Sequence, residues 1–284
     1  MTITLEAPAK INLFLRVLAR EESGYHGIET LFCRISLADK LTVAQADGRT
    51  VALTTEGEEC GPPAENLAVR AAQMVLDATG NRIGVSLHLV KNIPAKAGLG
   101  GGSSDAAAAL DGVNQLMGNP IPRHELLQLG SKLGADVPFF LSGASLALGW
   151  DRGDRLFRLP SLPQAPGLLL IPPVGVSTAD AYKWVDATRA DAGRRGALAL
   201  DLDALQSWGS IGRMAGNDFE GAVFGRQPSV REAFEKLVST QPLVCRLSGS
   251  GSALFAIYRT AGDREDAKMR LGKKFGRVIA VETT

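Results

Sequence analysis

Hydrophobic and polar residues alternate along TITLEAPAKINLFLRVLA, near the start of the chain. Ile3, Leu5, Ala7, Ile11, Leu13, Leu15 and Val17 fall on one side, and Lys10, Asn12, Phe14 and Arg16 on the other. That two-residue period predicts a strand and makes Lys10 and Asn12 same-side neighbours. Pro8 predicts a break or bend before its second half. REESGYHG reads as a turn, and IETLFCRISL, KLTVAQ and TVALTT read as further strands. The period then lengthens. Leu67, Ala71, Met74, Val75 and Ala78 have helical spacing, with Gly80 placed to end the helix. GVSLHLVKNI alternates again. SDAAAALDGVNQLMG carries the stripe Ala106, Ala109, Leu110, Val113, Leu116 and Met117, with Ser103, Ser104 or Asp105 available to cap its start. RHELLQLGSKLG predicts a short helix closed by Gly134.

The stretch GWDRGDRLFRLPSLPQAPG is rich in turn residues and holds three prolines, which predicts a domain boundary near Gly153 and a division into 1–153 and 154–284. Beyond it come an apolar strand, LLLIPP, and a polar helical stretch from Asp180 to about Trp208. PSVREAFEKLVS predicts a helix announced by the capping box Ser229-x-x-Glu232. A loop and strand (RLSGSGSALFAIY), an amphipathic helix (GDREDAKMRLGKKFG) and a last strand (RVIAVETT) complete a split βαβ order of the ferredoxin type.

Composition narrows the function classes. A chain of 284 residues is long for one core. With 45% hydrophobic and 21% charged residues and a net charge of +1, it is neither a disordered chain nor a basic nucleic-acid surface. An anionic ligand must therefore be held by local groups. Cys33, Cys60 and Cys245 are sparse and unpaired in spacing, which predicts free thiols in a reducing compartment. With His26, His88 and His124 they form no zinc pattern. The opening residues lack a signal-peptide pattern and no apolar run is long enough to span a bilayer, so a cytoplasmic setting away from membranes is expected.

The densest candidate chemistry is IPAKAGLGGGSSDAAAAL, Ile93 to Leu110. A plain tight turn is one reading. A dinucleotide fingerprint needs a third glycine where Ser103 stands, and no Gly-Lys precedes Ser or Thr as a P-loop demands. What remains is a strand that delivers small residues to a helix start. Backbone N–H groups, the helix dipole and two hydroxyls can there converge on a polyphosphate.

The spelling from Pro94 to Ser104 resembles the second motif of the GHMP kinases, the superfamily of galactokinase, homoserine kinase and mevalonate kinase. PAKINLFLRV, LGADVPFFLSG and RLSGSGSALFAIY resemble its other motifs, in order, from residue 8 to about 258. The resemblance implies an α+β protein of two domains, an N-terminal α/β domain like domain 2 of ribosomal protein S5 and a C-terminal ferredoxin-like one. It implies ATP, bound by Asn66 and by Pro94, Ala95, Lys96, Ala97, Gly98, Leu99, Gly100, Gly101, Gly102, Ser103 and Ser104. Mg²⁺ is expected with it, although no ligand set can be read from the sequence and Ser104 is only the nearest candidate. Lys10 and Asp136 would be the catalytic pair. Asp136 would accept or orient the substrate hydroxyl's proton, and Lys10 would balance charge.

GYHGIETLF, ENLAVRAA and SGSGSALFAI narrow the resemblance to members that phosphorylate the 2-hydroxyl of CDP-methylerythritol on the non-mevalonate route to isoprenoids. That implies substrate contacts from Asn12, Tyr25 and His26, with Tyr25 stacking on cytosine. A second stacking aromatic is expected at Trp184, with Tyr182 as the alternative. Gly249, Ser250 and Gly251 would close on the diphosphate. GNDFE, residues 216–220, reads as structural, with Asp218 or Asn217 capping a helix. A monomer or weak homodimer is expected. A sibling kinase for another alcohol, a dead nucleotide-binding relative and a dehydrogenase are the alternatives.

Overall fold

A computed structural model describes residues 1–22, 24–80, 83–188 and 203–284. Two sheets stand back to back. In the first, β1 (Thr2–Arg20) and β2 (His26–Ala46) form a long antiparallel pair at the centre. β4 (Gly84–Lys91) lies beside β2, with the parallel β3 (Val51–Gly57) at the edge. The hairpin β5 (Leu146–Asp151) and β6 (Arg155–Leu159) extends β2 further along. The second sheet has the order β11 (Arg277–Glu282), β7 (Pro166–Ile171), β10 (Leu254–Ile257), β9 (Val244–Leu247). This is the ferredoxin-like arrangement expected. A two-residue strand, β8 (Gly216–Asn217), returns to pair with β1 in the first sheet.

Helices cover the outer faces. α1 (Leu67–Ala78), α2 (Gly101–Leu116), α3 (Arg123–Leu133) and α4 (Val137–Ser142) bury an alanine-rich core against Leu41, Val43, Val85 and Leu89 of the first sheet. The small side chains let α2 lie close. A Cβ added at Gly112 would come 2.9 Å from Val43 Cγ2. Across the second sheet, α5 (Thr178–Thr188), α7 (Phe219–Arg226), α8 (Pro228–Val238) and α9 (Ala261–Leu271) do the same. Between the sheets, Ile11, Leu13, Leu31 and Ile35 meet Leu169, Phe255 and Val281, with α6 (Trp208–Met214) closing the edge. Both faces of mid-β1 are therefore covered, and every residue from Ala9 to Leu15 is buried. Burying polar side chains on the face away from the inter-sheet core needs hydrogen-bond partners, and the site supplies them.

Several local expectations change. Pro8 does not break β1. The strand continues, and the register with β2 shifts between Pro8 and Lys10. IETLFCRISL and KLTVAQ are one strand, β2, because no glycine or proline interrupts them. α2 starts at Gly101 with Gly100 as its cap in the left-handed conformation, so Ser103, Ser104 and Asp105 sit inside the first turns and cap nothing. The box at Ser229 and Glu232 does not form, since Pro228 already occupies the first turn. The box that forms is Thr260–Asp263, ahead of α9. Gly153 falls in the turn of the β5–β6 hairpin, whose second strand still belongs to the first sheet. Of the polar helical stretch, α5 and α6 are its described ends, and 189–202 lie outside the described residues.

Candidate active site

The chain crosses from β4 to α2 through 92–100, and this loop forms the floor of a cleft of about 1920 Å³. Its construction alternates. Ala97 and Leu99 turn their side chains into the core between the sheets, leaving the backbone of Gly98 and Gly100 toward the cleft. Lys96, Gly98 and Gly100 have φ of +55°, +78° and +73°, a region glycine enters without a side-chain penalty. Gly100, Gly101 and Gly102 then open α2, whose free N–H groups and dipole favour an anion. Ser104 Oγ is buried in that first turn without a hydrogen-bond partner among the described residues. An unpaired buried hydroxyl costs free energy, but Ser104 does not line the cleft; of the two serines, Ser103 does.

Lys10 stands where the loop meets the strand. It is 3% exposed, and its Nζ donates to Asn12 Oδ1 at 2.8 Å and to the Gly98 carbonyl at 3.0 Å. The third neighbour is Asp136 Oδ2 at 3.5 Å. Asp136 precedes α4 and keeps 29% of its side chain exposed, so it is an open carboxylate rather than a buried one. Asn12 is held by a chain of donors that fixes its orientation. Thr30 Oγ1 gives its single proton to the Phe14 carbonyl at 2.8 Å, so it must accept from Asn12 Nδ2 at 2.7 Å. The Asn12 oxygen is thereby turned to Lys10.

The opposite end of the cleft is aromatic. Tyr25 is 61% exposed, with the Arg152 guanidinium 4.3 Å over its ring. His26 opens β2, bonds Asp186 through Nε2 at 2.7 Å, and stacks on Tyr182 at 4.9 Å and 12°. Burial, with the Asp136 charge adding to it, pushes the Tyr182 phenol up to about 12. Tyr182 faces the cleft. Trp184 does not; it packs half-buried against the core of the second sheet. On a helix these positions, two residues apart, point to different sides, so Tyr182, the alternative, lines the cleft and Trp184, the preferred residue, does not.

The loop between β9 and β10 completes the wall with Gly249 and Ser250, while Gly251 is set back from the cleft. It interlocks with the glycine loop. Ser248 Oγ donates to the Gly98 carbonyl at 3.0 Å, and the Ala253 N–H donates to the Ala97 carbonyl at 3.1 Å. Asn217 holds this second loop from behind, with Nδ2 on the carbonyls of Leu247 and Gly249, both at 2.8 Å. Its Oδ1 accepts from the Phe219 N–H at 2.9 Å, so it caps α7 as expected and also carries the loop. Asn66 caps α1 by accepting from the Ala68 N–H at 2.9 Å and also lines the cleft, near Cys60.

Sequence reasoning missed a buried charge cluster under the cradle. Lys91 bonds Asp39, and Asp105 Oδ2 at 2.7 Å. Burial alone would lower the Lys91 pKa. The Asp105 and Asp39 carboxylates outweigh it, so the ammonium titrates above its ordinary value. Burial pushes Asp105 up to about 7 against the pull of Lys91. Thr30 and Asp186 were missed too, for their partners are far away in sequence. Among the described residues no group of three or more His, Cys, Asp or Glu side chains could hold a metal, and no helix is long and apolar enough to cross a membrane.

Known proteins resemble this chain in sequence and in fold. The family model for the GHMP kinases N terminal domain matches residues 66–144, and that for GHMP kinases C terminal matches 197–277. A 4-diphosphocytidyl-2-C-methyl-D-erythritol kinase of Solibacter usitatus is 42% identical over 90% of this chain and 81% of its own length. One from Pelobacter propionicus is 36% identical over 100% of this chain and 99% of its own. A crystal structure of 4-(cytidine 5'-diphospho)-2C-methyl-D-erythritol kinase superposes with a TM-score of 0.82 at 35% identity, covering 99% of both chains.

Proposed function

The chain belongs to the GHMP kinases, in the family of the 4-diphosphocytidyl-2-C-methyl-D-erythritol kinases. On that premise we propose how its residues carry the reaction. It is an ATP-dependent kinase that phosphorylates the 2-hydroxyl of 4-diphosphocytidyl-2-C-methyl-D-erythritol, in the non-mevalonate route to isoprenoid precursors. The observation that carries the reading is the position of Lys10, which touches the phosphate cradle at Gly98, the substrate end at Asn12 and the carboxylate of Asp136.

The glycine loop and the start of α2 hold the ATP phosphates, and Asn66 stands by the adenine. Tyr25, His26 and Tyr182 hold the cytosine, with Gly249 and Ser250 near the diphosphate. Mg²⁺ supplies charge neutralisation on the phosphates. It would be held by those phosphates and by water. The substrate oxygen forms its bond to the γ-phosphorus as the bond to the β-γ bridging oxygen breaks. The hydroxyl proton goes to Asp136, and ADP leaves. Lys10 offsets the charge spread over the transferring group. Because that transition state is loose, Asp136 acts as much by orienting the hydroxyl as by removing its proton. We place the division between the two units after β6, between 159 and 166, and the enzyme in the cytoplasm.

The test is ADP release with ATP and Mg²⁺, offering the CDP alcohol, homoserine, galactose and mevalonate in turn. Turnover is expected with the CDP alcohol alone. Asp136→Asn should lower kcat by roughly a hundredfold or more. Turnover with a small alcohol instead would reject the substrate, and an unaltered Asp136→Asn enzyme would reject the carboxylate's role.

A further inference from the structure

Three charged side chains lie at the base of the phosphate cradle with little access to water, Lys91 and Asp105 at the border of the cleft and Asp39 behind them. Asp39 is 1%, Asp105 2% and Lys91 5% exposed. Burying ions is expensive, and apolar side chains of similar volume commonly serve stability as well or better. A stability role alone does not explain them. Their hydrogen bonds do. Asp39 projects from β2, accepts the Asn92 N–H at 2.6 Å and the Ile93 N–H at 2.8 Å on Oδ1, and takes Lys91 Nζ on Oδ2. Lys91, the last residue of β4, reaches Asp105 in α2. A Cβ added at Gly101 would lie 3.2 Å from Lys91 Nζ and 3.0 Å from Ile93 Cγ2. The ammonium is thus packed against the residue that starts the helix. The loop leaves the triad at Ile93 and returns to it at Gly101.

We propose that Lys91, Asp39 and Asp105 are positioning residues for ATP, clamping both ends of the glycine loop so that its left-handed turns present their N–H groups to the phosphates. This rests on the kinase reading above. The middle of the loop is held separately, by Ala97 and Leu99 in the core and by Lys10 and Ser248 at Gly98. Losing the triad should therefore let the ends relax while the fold persists. The substrate end, built on β1, β2 and α5, has no bond to the triad among the described residues and should not respond.

The experiment uses the full chain with Lys91→Met, Asp105→Asn, and the neutral triple variant Asp39→Asn, Lys91→Met, Asp105→Asn, which leaves no unpaired buried charge. ATP binding is measured by calorimetry with Mg²⁺, and KM for each substrate by ADP release. The triple variant is expected to melt within about 5 °C of the wild type. It should lose roughly tenfold or more in ATP affinity and ATP KM, and keep the KM for the CDP alcohol within about twofold. A folded triple variant that binds ATP like the wild type overturns the proposal. So does an equal rise in both KM values. Failure of all three variants to fold overturns it too, since the triad would then hold the fold and not the loop. A wild type that binds ATP but ignores the CDP alcohol would reject the substrate and leave the triad's role standing.

Discussion

Gly98→Ala tests the joint between the two loops. Gly98 has φ of +78°, where an alanine costs about 1–2 kcal/mol. A Cβ built there would overlap the Ser248 carbonyl oxygen, and would lie 3.0 Å from its carbon and 3.2 Å from the Gly251 nitrogen. These are backbone atoms and cannot rotate aside, so the loops must part. Parting them strains the bonds that Lys10 and Ser248 make to the Gly98 carbonyl, worth about 1 kcal/mol net for the neutral donor and about 2 for the charged one. The total is about 4 kcal/mol. If the strain falls on the catalytic arrangement, kcat/KM drops by roughly a thousandfold. If the units separate instead, the melting temperature falls by on the order of 10 °C. Gly102→Ala is the control. Its Cβ would meet only Leu67 Cδ1, at an ordinary 3.7 Å, and alanine gains helix propensity of about 1 kcal/mol. It should be at least as stable as the wild type. The assays are ADP release and a thermal melt on both variants. A Gly98→Ala protein matching the wild type in both would show that the loops do not touch in the working enzyme.

Tyr182→Ala should raise the KM for the CDP alcohol roughly tenfold, while Trp184→Ala leaves it unchanged; steady-state kinetics showing the reverse would return the stacking role to Trp184. Burial holds the thiols of Cys33, pushed up to about 12, and Cys245 in their protonated form, whereas Cys60 is half-exposed in the cleft. A maleimide at neutral pH should therefore add once, at Cys60, and ATP should slow it. Mass spectrometry finding Cys33 labelled, or no effect of ATP, would contradict this. Asp105 is raised from 3.8 to about 7. Its protonated form favours the fold, a contribution complete below about pH 4 and lost as pH rises through about 7. Asp105→Asn should gain in melting temperature over the wild type as pH rises from 5 to 8, and a constant difference would refute the shift.

What could be read from the sequence was what neighbours in sequence build together. The alternation of β1 placed Lys10 beside Asn12, and the run from Pro94 to Ser104 announced a backbone cradle before a helix. Asp39 and Lys91 lie 52 positions apart, and His26 and Asp186 lie 160 apart. No local period marks such pairs, because each side chain is ordinary for its own strand or helix and gains its meaning only from register and packing. The capping boxes make the same point. Ser229 and Glu232 have the right spacing, but Pro228 moves the helix start upstream and leaves the serine without a terminal N–H to accept. Tyr182 and Trp184 were inseparable by composition, and the rotation of one helix sets which of them lines the cleft.

The interlocking of the loops bears on how the protein comes into being. Ala97 waits for a hydrogen bond from Ala253, and Gly98 for one from Ser248. Until the ribosome has delivered those residues, the back of β1 and the side chains of Ala97 and Leu99 have no second sheet to cover them. A chain cut after the first sheet would expose that apolar face and leave the middle of its cradle without the bonds from Ser248 and Ala253. The two halves matched by separate family models thus share one core between the sheets. Nascent chains should acquire nucleotide-dependent protection from proteolysis only near the end of synthesis, in one late step.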